Sequence, residues 1–191
     1  TPLLITPGDP VAAATKTVHV PTEDATNAAA VARIYEAKGR PSFNPLIVHV
    51  AGLPEAERIG AFSPAARALA QSYWPGALTL VVPIWPGASI APAVTAGLPT
   101  VALRCPAHPV MQALPAEAGR PLAAPSANAS GTISSTTAAH VLATLEGRIP
   151  LVIDGGPTAL GLESTIIAVD DEGVRLLRPG PIDFAELAAL A

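Results

Sequence analysis

The sequence predicts a single α/β domain, residues 1–191, built on a twisted, mixed open sheet with flanking helices. Three observations carry this expectation. Short apolar runs alternate with amphipathic stretches along the whole chain, without an internal repeat. Twenty-two prolines and fifteen glycines divide the 191 residues into many short elements. Half of the residues are hydrophobic, enough for one sizeable core, and no stretch has the composition of a linker.

Taken in order, residues 17–20 read as a short strand ending at Pro21-Thr22-Glu23. Asn27 is placed to cap a helix over 28–38, with Val31, Ile34 and Tyr35 on one face. Gly39 follows it and tolerates positive φ, and Pro41 forbids continuation. Asn44-Pro45 makes a turn into a buried strand, 46–50, that carries His49. Ser63 and Pro64 suit the start of a second helix, with Ala65, Leu69 and Tyr73 inward, which stops at Trp74-Pro75-Gly76.

Residues 78–82 form a strand bounded by Pro83, and 84–99, rich in Pro and Gly, read as a surface loop. A strand over 100–104 places Arg104 at its C-terminal end. Residues 108–114 are expected as a short helix, and 121–124 as a strand running into a Ser/Thr-rich loop. Thr136 or Thr137 caps a helix through Leu145, with Val141 and Leu145 facing the core. Residues 151–154 lead as a strand into a Gly-rich loop. Strands at 165–169 and 174–177 make a hairpin around 170–173, and Asp183 caps a last short helix.

A net charge of -4 argues against a free-standing nucleic-acid binder, because phosphate contacts need clustered Lys and Arg. It leaves room for a local basic pocket. The single cysteine, Cys105, has no internal disulfide partner and reads as a small residue packed beside a strand end. No apolar run approaches the ~20 residues of a membrane span. The first ten residues lack a basic start and a long apolar centre, so a soluble, cytoplasmic protein is expected.

Two polar loops carry the chemistry. In "KGRPSFNPLIVHV", Lys38, Arg40, Asn44 and His49 fall within twelve residues between two rigid elements. Taken alone, Lys38 would merely complement the helix dipole and Arg40 would be solvated. In "APSANASGTIS", residues 124–134, Ser126 and Asn128 directly follow a buried strand, where ligand loops of open α/β sheets lie. Hydroxyls, an amide and free backbone N–H groups suit phosphate and ribose oxygens, although such a loop by itself is an ordinary Ser/Asn turn.

With the later "IDGGPTALGLESTII" and "LLRPGPI", these motifs resemble the YrdC-like family of threonylcarbamoyl-AMP synthases, from about Val20 to Ile182. The resemblance implies synthesis of L-threonylcarbamoyladenylate from L-threonine, bicarbonate or CO2, and ATP, with release of pyrophosphate. The product would feed a downstream threonylcarbamoyl transferase that modifies adenosine in tRNA. By resemblance, Arg40, Asn44, Thr100, Ser126, Ser134 and Arg178 would contact ATP. His49, Arg104, Ala124 (through its backbone) and Ser164 would contact threonine or its carbamate. Lys38 and Asn128 belong to the family's signature pairs and would face the same cavity, Lys38 with Arg40 at the catalytic centre and Asn128 beside the nucleotide.

The residue chemistry agrees. No Ser-His-Asp order or cysteine nucleophile is found, and positioning plus charge stabilisation suffices for attack on a phosphate. Lys38, Arg40, Arg104 and Arg178, four of eleven basic residues, all sit in motifs. Mg²⁺ would ride on the triphosphate, held largely by phosphate and water oxygens, with no metal site of the protein's own. His19, His108 and His140 lack metal-ligand spacing. Asp154 begins a turn, Asp170, Asp171 and Glu172 form a solvated hairpin tip, and Glu163 in "ESTI" receives no role.

The resemblance breaks once. Family members usually continue "PTE" with a stretch like "TVYGLGA", whose second Thr helps bind threonine, whereas here Glu23 runs straight into Asp24. A Gly-containing loop over an active site is a natural candidate for disorder. We therefore expect a break in the chain, with Glu23 and Asp24 further apart than the about 3.8 Å of bonded Cα atoms. Because the sequence in hand runs only a few residues past Ile182, the additional C-terminal domain of longer family members is not expected in it.

Two other readings are weighed. An RNA-binding module for tRNA or double-stranded RNA is opposed by the net acidity and by only 4% aromatic residues for base stacking. A carbamoyl-transfer domain on the same scaffold, as in hydrogenase maturation, normally accompanies zinc-finger and acylphosphatase modules, and no Cys pair occurs here.

Overall fold

The computed structural model describes residues 11–14 and 19–191. The strands among these residues are β1 (Val11–Ala14), β2 (His19–Asp24), β3 (Ile47–His49), β4 (Leu78–Pro83), β5 (Thr100–Arg104), β6 (Leu122–Ala123), β7 (Leu151–Ile153), β8 (Thr165–Asp170) and β9 (Gly173–Arg178). The helices are α1 (Ala28–Lys38), α2 (Leu53–Ile59), α3 (Pro64–Tyr73), α4 (Pro92–Thr95), α5 (Pro109–Ala118), α6 (Ala138–Leu145) and α7 (Phe184–Leu190). One sheet runs in the order β7-β1-β2-β6-β3-β5-β4-β8-β9. It is mixed: β1/β7, β3/β5 and β4/β8 pair parallel, and the other neighbours pair antiparallel.

Local chemistry sets the boundaries. Asn27 Oδ1 accepts from the N–H groups of Ala29 and Ala30 at the start of α1, and Gly39 closes it at φ 59°. Ser63, Thr137 and Asp183 cap α3, α6 and α7 in the same way. His108 opens α5, its Nδ1 accepting from Val110 N–H, and His140 reaches Thr136 at the protein surface. Asp154 accepts from Gly156 N–H in the turn after β7.

Strand periodicity divides the central sheet. Leu80 and Val82, Val101 and Leu103, and Ile167 and Val169 are buried in one core with Ala56 and Ile59 of α2, Leu69 of α3 and Leu187 of α7. The alternate positions, including Ile47, His49 and Arg104, line a concavity on the other side. Cys105 is buried just past β5. Among the described residues, no helix is long and apolar enough to cross a membrane.

Several expectations are corrected. Of the strand expected at 17–20, Thr17 and Val18 lie outside the described residues, and β2 continues through Pro21 to Asp24. β1 and α2 were not foreseen, and the loop over 84–99 contains α4. α5 runs four residues past Leu114, with Pro115 inside it. On α3 the fully buried face is Ala66, Leu69 and Ala70, flanked by Ala65 and Tyr73. Nor does the chain break after Glu23. Glu23 and Asp24 pair in consecutive register with Ala123 and Leu122, and Asp24 then turns the chain towards α1 by accepting from Thr26 N–H and Oγ1. The family's "TVYGLGA"-like segment has no counterpart between them.

Candidate active site

Arg40, Pro45, Ile47, His49, Arg104, Ala124, Pro125, Ser126, Glu163, Ser164 and Arg178 together line the concavity. Six of the expected contact residues, separated by up to 138 positions (Arg40 to Arg178), thus meet in one cavity with Ala124.

The parallel register of β3 and β5 sets His49 beside Arg104. His49 is 1% exposed, and neither ring nitrogen has a hydrogen-bond partner among the described residues. Burial, reinforced by Arg104, pushes its pKa well below the ordinary value, so the ring is neutral and offers one donor and one acceptor. Arg104 Nε donates to the carbonyl of Gly76. Burial, then the nearby Arg178, lowers its pKa to about 10, so it remains a cation at neutral pH.

Arg178, at the end of β9, is oriented by its neighbour strand. Its Nε and Nη2 both donate to the Ser164 carbonyl, at 3.1 and 2.9 Å, and Nη2 reaches Ser164 Oγ at 3.0 Å. Ser164, 1% exposed, also bonds Thr79 through the hydroxyls at 2.7 Å. Gly180 makes this packing possible. A Cβ there would lie 2.3 Å from Thr165 N and 2.7 Å from the Glu163 carbonyl oxygen. Arg40 is braced by its own loop, Nη2 donating to the Pro45 carbonyl at 2.9 Å. The Ala124 N–H is engaged by the Ile47 carbonyl, so a ligand contact through its backbone falls on the carbonyl.

The remaining expected residues lie off the cavity wall. Lys38 is 2% exposed and donates to the carbonyls of Ser126 and Asn128, and to Asn128 Oδ1 at 3.5 Å. Asn128 Nδ2 in turn donates to the Thr132 carbonyl at 2.6 Å. This pair therefore stitches α1 to the Ser126 loop from behind, where direct contact with the cavity was expected. Burial, then Arg40, lowers the Lys38 pKa to about 8, while Glu163 opposes the shift. Asn44 uses its carbonyl to accept from Tyr35 Oη and Arg40 Nε. Thr100 lines an adjoining apolar groove with Val81, Ala102 and Leu177, which shares Pro45 with the cavity.

Glu163 is the residue sequence reasoning left without a role. It pairs with Arg178 Nη1 and accepts from Ser134 Oγ at 2.7 Å. Burial alone would raise its pKa. Arg178, hydrogen bonds from Ser134 and Ser126, and Lys38 together hold it below the usual carboxylate range. Its position in the "ESTI" motif, next to Ser164, was the available signal.

Comparison with known proteins adds independent findings. The Sua5/YciO/YrdC family model, described as telomere recombination, matches residues 4–180. The threonylcarbamoyl-AMP synthase of Bacillus subtilis is 49% identical over 188 residues, covering 98% of this chain and 54% of that protein. That of Pyrococcus abyssi is 45% identical over 182 residues, covering 94% and 53% respectively. The solved structure of P. abyssi Sua5 complexed with L-threonine superposes with a TM-score of 0.91 at 43% identity, covering 96% of this chain and 54% of that one. The chain spans about half the length of the curated relatives it matches.

Proposed function

The chain belongs to the Sua5/YciO/YrdC family, and from that premise we propose that it makes L-threonylcarbamoyladenylate from L-threonine, bicarbonate or CO2, and ATP. The threonine amine adds to CO2 and loses a proton, giving a carbamate. A carbamate oxygen then attacks the α-phosphorus of ATP, and the bond to pyrophosphate breaks. No enzyme nucleophile takes part, so the protein's work is orientation and compensation of negative charge.

In this reading Arg40, Asn44, Thr100, Ser126, Ser134 and Arg178 hold the nucleotide. His49, Arg104, the Ala124 carbonyl and Ser164 hold threonine and its carbamate. Lys38 and Asn128 are positioning residues, acting through the loop that carries Ser126. Mg²⁺ enters as part of the substrate, carried on the triphosphate by phosphate and water oxygens. With no counterpart of the family's threonine-contacting loop after Glu23, threonine rests on fewer contacts and binds weakly. The mixed anhydride formed is consumed by a threonylcarbamoyl transferase acting on adenosine in tRNA.

The observation that carries this reading is the convergence on one cavity of three arginines and a neutral imidazole that has no hydrogen-bond partner among the described residues. The test is pyrophosphate release from ATP with threonine and bicarbonate varied separately. Release that requires both supports the proposal; release indifferent to threonine, or none, overturns it.

A further inference from the structure

Glu163 occupies an unusual place for an anion in a cavity meant for anions. Its two carboxylate oxygens are bound by Ser134 Oγ and Arg178 Nη1, and the Ser126 hydroxyl also hydrogen-bonds it. All three partners are residues assigned above to the nucleotide. Lys38, Arg40 and Arg104 add their fields to the same carboxylate. A carboxylate held by two hydroxyls and a guanidinium presents oxygens where a phosphate would present its own.

Arg178 does not need Glu163 for its orientation. Its Nε and Nη2 are committed to the Ser164 carbonyl, leaving only Nη1 for the carboxylate. Lys38 is likewise fixed by the carbonyls of Ser126 and Asn128. The carboxylate therefore contributes charge and occupancy more than shape.

Building on the nucleotide reading of the cavity, we infer that Glu163 is a resident anion that fills the phosphate donors of the empty site and is displaced when a polyphosphate binds. A ligand must release Ser134 and Arg178 Nη1 from Glu163 before it can use them, and it does so against the repulsion of a like charge. A ligand making many contacts displaces the carboxylate, whereas a small anion with few contacts does so poorly.

The test is direct binding of ATP and of inorganic pyrophosphate to the wild-type chain, Glu163→Gln and Glu163→Ala, with thermal unfolding of each recorded without ligand. Glutamine keeps the shape but brings an N–H donor of its own; alanine brings none. Removing one like charge at close range predicts binding about tenfold tighter in both variants. Equal or weaker binding of both probes by both variants overturns the inference, since Glu163 would then organise the site rather than compete for it. Tighter binding by glutamine alone also overturns it, because the new donor would account for the gain. If both variants gain pyrophosphate affinity but no form binds ATP, the resident anion stands and the nucleotide reading falls. If no form binds either probe, both fall.

Discussion

Thr79→Val isolates the support beneath Ser164, on the side of the cavity proposed for threonine. Thr79 is fully buried on β4, and its hydroxyl lies 2.7 Å from that of Ser164. Valine keeps the branched shape and suits a strand, so no cavity opens. What is lost is one hydroxyl–hydroxyl bond, about 1 kcal/mol net, and part of the satisfaction of a buried Ser164 hydroxyl that retains only Arg178. We expect a destabilisation of about 2 kcal/mol, well within the ~5–15 kcal/mol of a typical domain. Ser164→Ala should cost a similar amount. Because both act on the same bond, the double variant should fall short of the sum by about 1 kcal/mol. Urea unfolding of the four proteins measures this cycle, and calorimetric titration with threonine gives the functional counterpart, a loss of about fivefold in Thr79→Val. An additive cycle with Thr79→Val within about 0.3 kcal/mol of wild type would refute the reasoning, showing that the pair contributes nothing beyond contact.

Three other expectations follow from the same geometry. Arg40→Ala should abolish adenylate synthesis while moving the unfolding midpoint little, because a partly exposed loop cation contributes little to stability; substantial activity with normal ATP affinity would exclude the role given to it. Gly180→Ala forces apart the segment 163–165 and should lower stability by at least about 2 kcal/mol and remove threonine binding together; a stable variant with wild-type binding would mean the strand end gives way freely. Lys38 has a pKa of about 8 in the folded protein, through burial and Arg40, against 10.5 for the free side chain. Between those values the unfolded chain binds the additional proton, so wild-type stability should rise with pH relative to Lys38→Met, by about 3 kcal/mol across the window. Denaturant titrations from pH 7 to 10.5 measure the difference, and a fall with rising pH contradicts the assignment.

Elements with a local signal were legible. Asn27 and Gly39 mark both ends of α1, and Ser63-Pro64 marks the start of α3, because capping depends on neighbouring residues only. α2 begins at Gly52 without a side-chain cap and is seven residues long, so neither cap nor periodicity announces it. β1 offers Ala12, Ala13 and Ala14, which carry little strand preference, and it is a strand because β2 and β7 pair with it. Pro115 reads as a stop signal yet lies within α5. In the site, the motif arginines were placed by resemblance and converge as expected. The interior position of Lys38 was not readable, because its acceptors come from a loop some ninety positions away. The engagement of Glu163 likewise depends on Ser134 and Arg178, which only the folded sheet brings to it.

The placement of β8 has a kinetic consequence. It pairs in parallel with β4, so the Thr79–Ser164 contact closes a loop of 85 residues, whereas β9 joins β8 in a local hairpin. Such non-local pairing is slow, since closure entropy is lost before the contacts are gained. Docking of the β8–β9 hairpin on β4, which completes the cavity from Glu163 to Arg178, is thus expected late in folding. A ligand that recognises only the finished cavity has no partner before the folding barrier is crossed. ATP should therefore slow unfolding while leaving the refolding rate unchanged.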